Sequence, residues 1–389
     1  MINKQPKIRV AWFADDIDRK TKGQATYSKK LIEQLVKNHA QEVDLTLVYR
    51  QGKCIQPECR LARNLVIKTF NTPILSGTLS WVWFFLTSQE SFDVFQVPRH
   101  SLYPGFLITK LRGRIKHFVV TLHGAPDKFS PKQFRKAGSW WNFHIKYLAK
   151  YFVDKFLAVS AAGQQQIIDY YKIKPVKVDY FHISCNDNFE PLLADEKSAS
   201  RKVLEQKYGL KFPYILQVGR FDPHKNVHRL IAAYQQLKKQ GFDHYLVLVG
   251  GRHLPDYSKK IESIIKENNL AESVIVTRNI EATDMPAIYG LADVVVNVSL
   301  NEGFGIPLVE AMKTGCAQVV SNIPVFHEVA GDSAYYVNPE DENDIASGLR
   351  KVLDSKDLVD ELKRRSLKRA ERFNWRQSAE KLIKIYRQL

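Results

Sequence analysis

Short apolar runs alternate with longer stretches of helical spacing along this chain. Lys7 to Phe13, Asp44 to Val48, Leu65 to Phe70, Asp93 to Val97, His117 to Leu122 and Lys155 to Val159 concentrate β-branched and aromatic residues, which predicts strands. Between the first two, Gln24 to Lys37 places Leu31, Ile32, Leu35 and Val36 on one face and predicts a helix. Gln133 to Phe152 predicts another. From Ser184 to Pro213 the rhythm breaks into a polar stretch with Asn186-Asp187-Asn188, Pro191 and a charged run from Asp195 to Lys207. It resumes at Tyr214 to Val218 and continues through Tyr245 to Val249, Ser273 to Thr277, Asp293 to Val298 and Ala317 to Val320, each followed by a helical pattern. Trp375 to Leu389 reads as an amphipathic helix through Ala379, Leu382, Ile383 and Tyr386.

Strands that alternate with helices build parallel sheets covered on both faces. Two such alternations joined by one connector predict an α/β protein with two Rossmann-like doubly wound domains facing a central cleft. Ligands of such sheets bind beyond the carboxyl ends of the strands. The expected boundaries are 1–190 for the first domain, 191–213 for the connector, 214–373 for the second domain, and 374–389 for a helix that packs back on the first. A length of 389 residues agrees with this division, since single cores stop growing near roughly 250–300 residues.

Composition narrows the class. A hydrophobic fraction of 44% and an aromatic fraction of 11% argue for folded domains and against disorder. The run Leu79 to Leu86 falls far short of the ~20 residues that cross a bilayer. Met1 to Lys7 is polar and Ile8 to Phe13 is too short for a signal segment, so no targeting peptide is expected and the chain reads as cytoplasmic. Cys54, Cys59, Cys185 and Cys316 form no CxxC pair, and His182 with Cys185 lacks a second pair for a zinc site. No metal is expected. Asp16-Ile17-Asp18 spells a DxD metal–nucleotide motif, but it has no supporting acids and reads better as a turn.

The net charge of +17 is uneven: residues 1–195 carry +13 and the remainder +4. Arg99 to Lys150 holds 11 basic residues against a single acid, Asp127. Such a field favours an anionic partner, with a solubilising surface as the plainer alternative. Trp81, Trp83, Trp140 and Trp141 add aromatic anchors to that half of the chain. Basic charge with aromatic anchors suits the inner face of an anionic membrane. No nucleic-acid-binding motif accompanies the charge, so nucleic acid is not an expected partner.

Four segments carry candidate chemistry, each after a predicted strand. Asn301-Glu-Gly-Phe-Gly-Ile-Pro-Leu-Val-Glu310 offers Gly303 and Gly305 for a tight turn and Pro307 for the first turn of a helix. Glycines that open a helix leave N–H groups for an anion. Glu310, about one turn inside, can accept hydrogen bonds from a vicinal diol such as ribose, and Glu302 precedes the glycines. A strand–helix turn with two surface acids is the alternative reading of these residues alone. In Val218-Gly-Arg-Phe-Asp-Pro-His-Lys-Asn226, Arg220 and Lys225 bracket a loop and suit a diphosphate, with Asn226 as an N-cap; two solvated basic residues on a turn are the alternative. His123, in Thr121-Leu-His-Gly124, can donate to a sugar hydroxyl, with a structural histidine as the plainer reading of the residue alone. Gly23, in Thr21-Lys-Gly-Gln-Ala25, can bring backbone close to a phosphate, with a simple turn as the plainer reading of the glycine alone.

Together these segments resemble the retaining glycosyltransferases of the GT-B fold known as group 1 or family 4. Glu302 and Glu310 match the family's E-x7-E pattern, and Gly219, Arg220 and Lys225 match its G-R-x4-K loop. Pro324 to Asn338 and Trp375 to Tyr386 resemble later family segments. The resemblance covers nearly the whole chain and is strongest from Tyr214 to Pro339. It implies that Arg220 and Lys225 bind the donor diphosphate and that Glu310 binds the ribose. Gly303, Phe304 and Gly305 would present backbone to phosphate and sugar, with Glu302 and His123 beside the transferred sugar and Gly23 near the phosphates. Backbone near Asn279 and Ile280 would contact the base. The family loop commonly carries two adjacent glycines, and Lys22 stands at the first of them.

The resemblance therefore implies a metal-independent retaining transferase without a cofactor. It would move a hexose-type sugar from a nucleotide-diphosphate donor to a lipid-linked or membrane-proximal glycan, as in lipopolysaccharide O-antigen or capsule assembly. A nucleotide-sugar 2-epimerase on the same fold, or a non-catalytic nucleotide- or glycan-binding protein, is the alternative.

Overall fold

The computed structural model describes residues 6–14, 23–50, 65–70, 88–98, 114–124, 149–250, 254–278 and 280–389. Described residues up to Ile183, joined by Asn374–Leu389, form one compact unit, and Ser184–Phe373 forms a second.

In the first unit, β1 (Ile8–Phe13), α1 (Gly23–Asn38), β2 (Val43–Arg50), β3 (Val66–Phe70), β4 (Phe92–Val97), β5 (Ile115–Leu122), β6 (Lys155–Ala158), α2 (Ala161–Tyr171) and β7 (Val178–Tyr180) follow in order. The strands form a parallel sheet ordered β3-β2-β1-β4-β5-β6-β7. Phe13, Phe95, Phe118 and Phe156 are fully buried, and burying each ring stabilises by roughly 1.5–3 kcal/mol. The chain's last helix, Trp375–Arg387, belongs to this unit. Asn374 caps it by accepting from the Gln377 N–H at 2.9 Å. Its buried stripe of Trp375, Ala379, Leu382, Ile383 and Tyr386 follows the helical period.

The second unit runs α3 (Ala194–Tyr208), β8 (Tyr214–Val218), α4 (Val227–Lys239), β9 (Tyr245–Val249), α5 (Pro255–Glu267), β10 (Val274–Thr277), α6 (Met285–Gly290), β11 (Val294–Asn297), α7 (Ile306–Lys313), β12 (Gln318–Ser321), α8 (Pro324–Ala330), β13 (Tyr335–Val337), α9 (Glu342–Leu353) and α10 (Lys356–Ala370). That makes Trp375–Arg387 α11. The parallel sheet is ordered β10-β9-β8-β11-β12-β13. Both sheets are doubly wound α/β arrangements, as the alternation predicts. Strand order reverses between β1 and β4 in one sheet and between β8 and β11 in the other. Such reversals are where open α/β sheets bind ligands.

Three details differ from the sequence pattern. The expected connector, 191–213, contains α3. Only Leu204 of that helix is buried, so it has no apolar stripe to announce it. It is fixed instead by polar contacts: the Glu196 carboxylate accepts from the Leu193 N–H at 3.0 Å, Gly209 ends it at φ 63°, and Tyr208 donates to Asp284 at 2.6 Å. The strands β7 and β13 are three residues long, too short to show a period. Ala149–Tyr151 forms a single 3₁₀ turn. The rest of the helix expected to start at Gln133 lies outside the described residues, as do Trp81, Trp83, Trp140, Trp141, Cys54, Cys59, Asp16, Asp18 and Lys22. Among the described residues no helix is long and apolar enough to cross a membrane.

Candidate functional site

Two loops leave the second sheet at its reversal: 219–226 after β8 and 298–305 after β11. Their strands pair directly, with Val294 opposite Ile215 and Val295 opposite Leu216, so the loops emerge side by side. The Leu300 N–H donates to the His224 carbonyl at 2.7 Å and joins them. Asn226 braces the same junction from below. It is fully buried with φ 59°, and its amide donates to Val298 O at 3.1 Å and Pro339 O at 2.6 Å. The sequence predicts this residue as a side-chain cap. It does occupy the N-cap position of α4, but it makes no side-chain cap bond there, because its Oδ1 accepts instead from the Arg229 guanidinium at 3.0 Å.

The loops place the predicted charges together. Lys225 Nζ donates to Glu302 Oε1, with each side chain only 12% exposed. The Ser299 hydroxyl lies 3.0 Å from the same oxygen and 2.7 Å from Asn297 Oδ1. Burial pushes the Glu302 carboxyl up, but Lys225, His224 and the bonds from Lys225 and Ser299 outweigh it and hold the carboxyl below its ordinary range. Arg220 pairs with Asp222 at 2.9 Å; the arginine is 56% exposed and the aspartate 5%. A buried carboxylate thus orients a guanidinium that still reaches solvent. Gly219 lies at φ 155°, a backbone conformation that strains a residue with a Cβ, and it lines the lysine stem, with an added Cβ falling in ordinary contact 3.4 Å from Lys225 Cε.

Glycine is required at Gly305 as well. The residue lies at φ 95°, and a Cβ there would meet the Phe326 ring at 2.9 Å. It caps α7, which carries Pro307 in its first turn. Phe304 is 3% exposed and packs perpendicular to Phe373, so its side chain is core and only its backbone can serve a ligand. Glu310 follows one turn into α7. Its Oε2 accepts a 2.6 Å hydrogen bond from the Tyr289 hydroxyl. Burial pushes the Glu310 carboxyl up to about 7, against the opposing effects of Tyr289 and the Lys225 charge. Ile280, half-buried, follows β10, and Asn279 lies outside the described residues.

In the first unit, Gly23 opens α1 and His123 follows β5 next to the reversal. The structure corrects the expected chemistry of His123. Burial pushes its imidazole down to about 4, so it is neutral near pH 7. Nε2 lies 2.9 Å from the Pro98 carbonyl, which can only accept, so Nε2 carries the proton. That leaves Nδ1 as an acceptor, not a donor.

Three residues of the arrangement escape the sequence reading: Asp222, Tyr289 and Ser299. Asp222 lies within the motif, two residues beyond Arg220. Tyr289 is on a different helix from Glu310, and only the packing of α6 beside α7 brings the pair together.

Comparison with known proteins identifies the family. The model described as "Glycosyl transferases group 1" matches residues 200–372, and "Glycosyltransferase Family 4" matches residues 21–183. The two matches together span most of the chain, which belongs to the group 1 glycosyltransferases. Among curated relatives, it is 30% identical over 273 residues to the serotype-specific mannosyltransferase WbdA of Escherichia coli, covering 70% of this chain and 33% of WbdA. The chain thus spans about a third of that relative's length. It is 27% identical to O-antigen chain mannosyltransferase B of Escherichia coli, over 71% of each chain. Among solved structures, Anabaena Alr3699/HepE in complex with UDP-glucose superposes with a TM-score of 0.73 over 98% of this chain and 100% of that one, at 19% identity. This likeness shows the GT-B fold.

Proposed function

We propose that this chain transfers a hexose-type sugar from a nucleotide-diphosphate donor to a lipid-linked or membrane-proximal glycan in O-antigen assembly. The transfer retains anomeric configuration and needs no metal. Mannose is the first sugar to test, because the curated relatives named above are mannosyltransferases.

The observation that carries the proposal is the Lys225–Glu302 pair, with Arg220 on the same loop, at the reversal of the second sheet. Breaking the bond to the anomeric carbon puts negative charge on the departing diphosphate. Arg220 and Lys225 neutralise that charge as it develops, the guanidinium as a fork and the ammonium as a point charge. Glu302 holds the ammonium in place beforehand, so little reorganisation is needed during reaction. Gly303 to Gly305 and the start of α7 present backbone to the phosphates. Ionised Glu310 accepts from the ribose hydroxyls, and backbone near Asn279 and Ile280 meets the base. The departing phosphate takes the acceptor's proton in a front-face attack, so no separate nucleophile is required. The basic first half of the chain holds the acceptor near an anionic membrane surface.

The test incubates the purified chain with GDP-mannose or UDP-glucose and a lipid-linked glycan acceptor. The product's anomeric configuration is then read by NMR. Acceptor-dependent transfer with retention is expected. A free 2-epimer released without acceptor, or no donor consumption with any acceptor, contradicts the proposal.

A further inference from the structure

The first unit contains a chain of buried hydroxyl and amide groups that the transfer chemistry does not use. Tyr386, on α11, donates its hydroxyl to Gln96 Oε1 on β4 at 2.9 Å. Gln96 Nε2 donates to Thr121 Oγ1 on β5 at 2.9 Å. The Thr121 and Tyr27 hydroxyls lie 2.8 Å apart, with Tyr27 on α1. Tyr27, Gln96 and Thr121 are fully buried and Tyr386 is 4% exposed. The chain ends against His123: the Tyr27 ring stands perpendicular to the imidazole with centroids 4.8 Å apart. The imidazole is also held by the bond from Nε2 to the Pro98 carbonyl.

Four polar side chains at this depth are costly unless each finds a partner. Phenylalanine, valine and leucine would fill the same space without that requirement. What the bonded chain adds is direction: every member has one orientation that satisfies its neighbour. Tyr27 is packed by Trp12, Phe181 and Trp375 as well, and its hydroxyl bond to Thr121 adds a directional anchor at the end of the ring.

We propose that Tyr386 and Tyr27 are positioning residues for His123, so that α11 sets the placement of the imidazole Nδ1 from the far end of the sequence. This rests on the reading that His123 meets the transferred sugar. Removing the Tyr386 hydroxyl leaves Gln96 Oε1 buried without a donor. The amide then turns to find one, its Nε2 leaves Thr121, and the Tyr27 ring shifts against His123.

The test uses the full chain with Tyr386→Phe and, as a second variant, Tyr27→Phe; both keep the rings and the core volume. Long-range ¹H–¹⁵N spectra without ligand report the His123 imidazole, assigned by its loss in His123→Ala. Both variants are expected to move the His123 signals while those of His228, in the other unit, stay in place. With GDP-mannose and a lipid-linked glycan, turnover should fall by about tenfold in Tyr386→Phe, since a misplacement of ~1 Å can cost about a hundredfold and the shift here is smaller. Donor KM should hold within twofold, and the loss should disappear when His123→Ala is already present. Unmoved His123 signals, or the same fractional loss in the His123→Ala background, overturn the proposal. Wild-type turnover in His123→Ala, with the signals still moved in Tyr386→Phe, refutes instead the reading that His123 serves transfer.

Discussion

Replacing Glu310 with Gln separates the cost of its buried charge from its use. The carboxyl has an ordinary value of 4.5 and is pushed by burial up to about 7 in the folded chain. Below pH 4.5 it is protonated in both folded and unfolded states and contributes nothing. Between 4.5 and 7 the folded state holds the proton more tightly, so stability falls as pH rises. Above 7 the full cost is present, and a shift from 4.5 to about 7 corresponds to about 3 kcal/mol. Gln keeps an oxygen for the Tyr289 hydroxyl and has no charge to bury. Glu310→Gln should therefore match the wild type at pH 4.5 and exceed it by about 3 kcal/mol at pH 8. For a unit of this size that is roughly 6–12 °C of melting temperature. The same variant should bind UDP or GDP about tenfold or more weakly at pH 8, because a ribose hydroxyl loses a charged acceptor worth about 1.5–3 kcal/mol. Urea titrations at the two pH values measure the first effect and calorimetry the second. An unchanged stability difference between pH 4.5 and 8 refutes the buried-charge reasoning, whatever the nucleotide does.

Three further outcomes follow from single side chains. Gly305→Ala should destabilise the second unit by about 1–3 kcal/mol in urea, from the positive φ together with the contact to Phe326. Asn226→Ala frees the Val298 and Pro339 carbonyls and should cost about 2–4 kcal/mol by the same measurement. The His123 Cε1 proton should titrate by NMR near pH 4, so that transfer shows no His123 limb between pH 5.5 and 8; a midpoint near 6.5 contradicts the neutral imidazole.

How much of this was legible in the sequence depended on whether a residue acts through its own neighbours in the chain. Strands such as Tyr214–Val218 and Val294–Asn297 announce themselves because each opens with three consecutive buried apolar residues. Helix α3 did not, because its anchors are Lys207 and Tyr208 meeting Asp284, over seventy residues away. Glu302 and Lys225 were legible as charged residues in recognisable motifs. Their pairing was not, since it depends on β8 and β11 becoming neighbours across the reversal. His123 was found by its place after a strand, yet its hydrogen-bonding role reversed once the Pro98 carbonyl was seen to take its N–H. Tyr386 reads only as part of an amphipathic stripe, nothing in the local sequence singles out Tyr27 or Tyr289, and only tertiary contacts distinguish all three from ordinary aromatics.

The central claim is that Lys225 stabilises charge on a departing diphosphate. The direct measurement is turnover and nucleotide affinity of Lys225→Ala at saturating GDP-mannose or UDP-glucose, whichever the wild type uses. The account predicts a loss in kcat of about a hundredfold or more, with UDP or GDP affinity held within about tenfold. Wild-type turnover in that variant would contradict it.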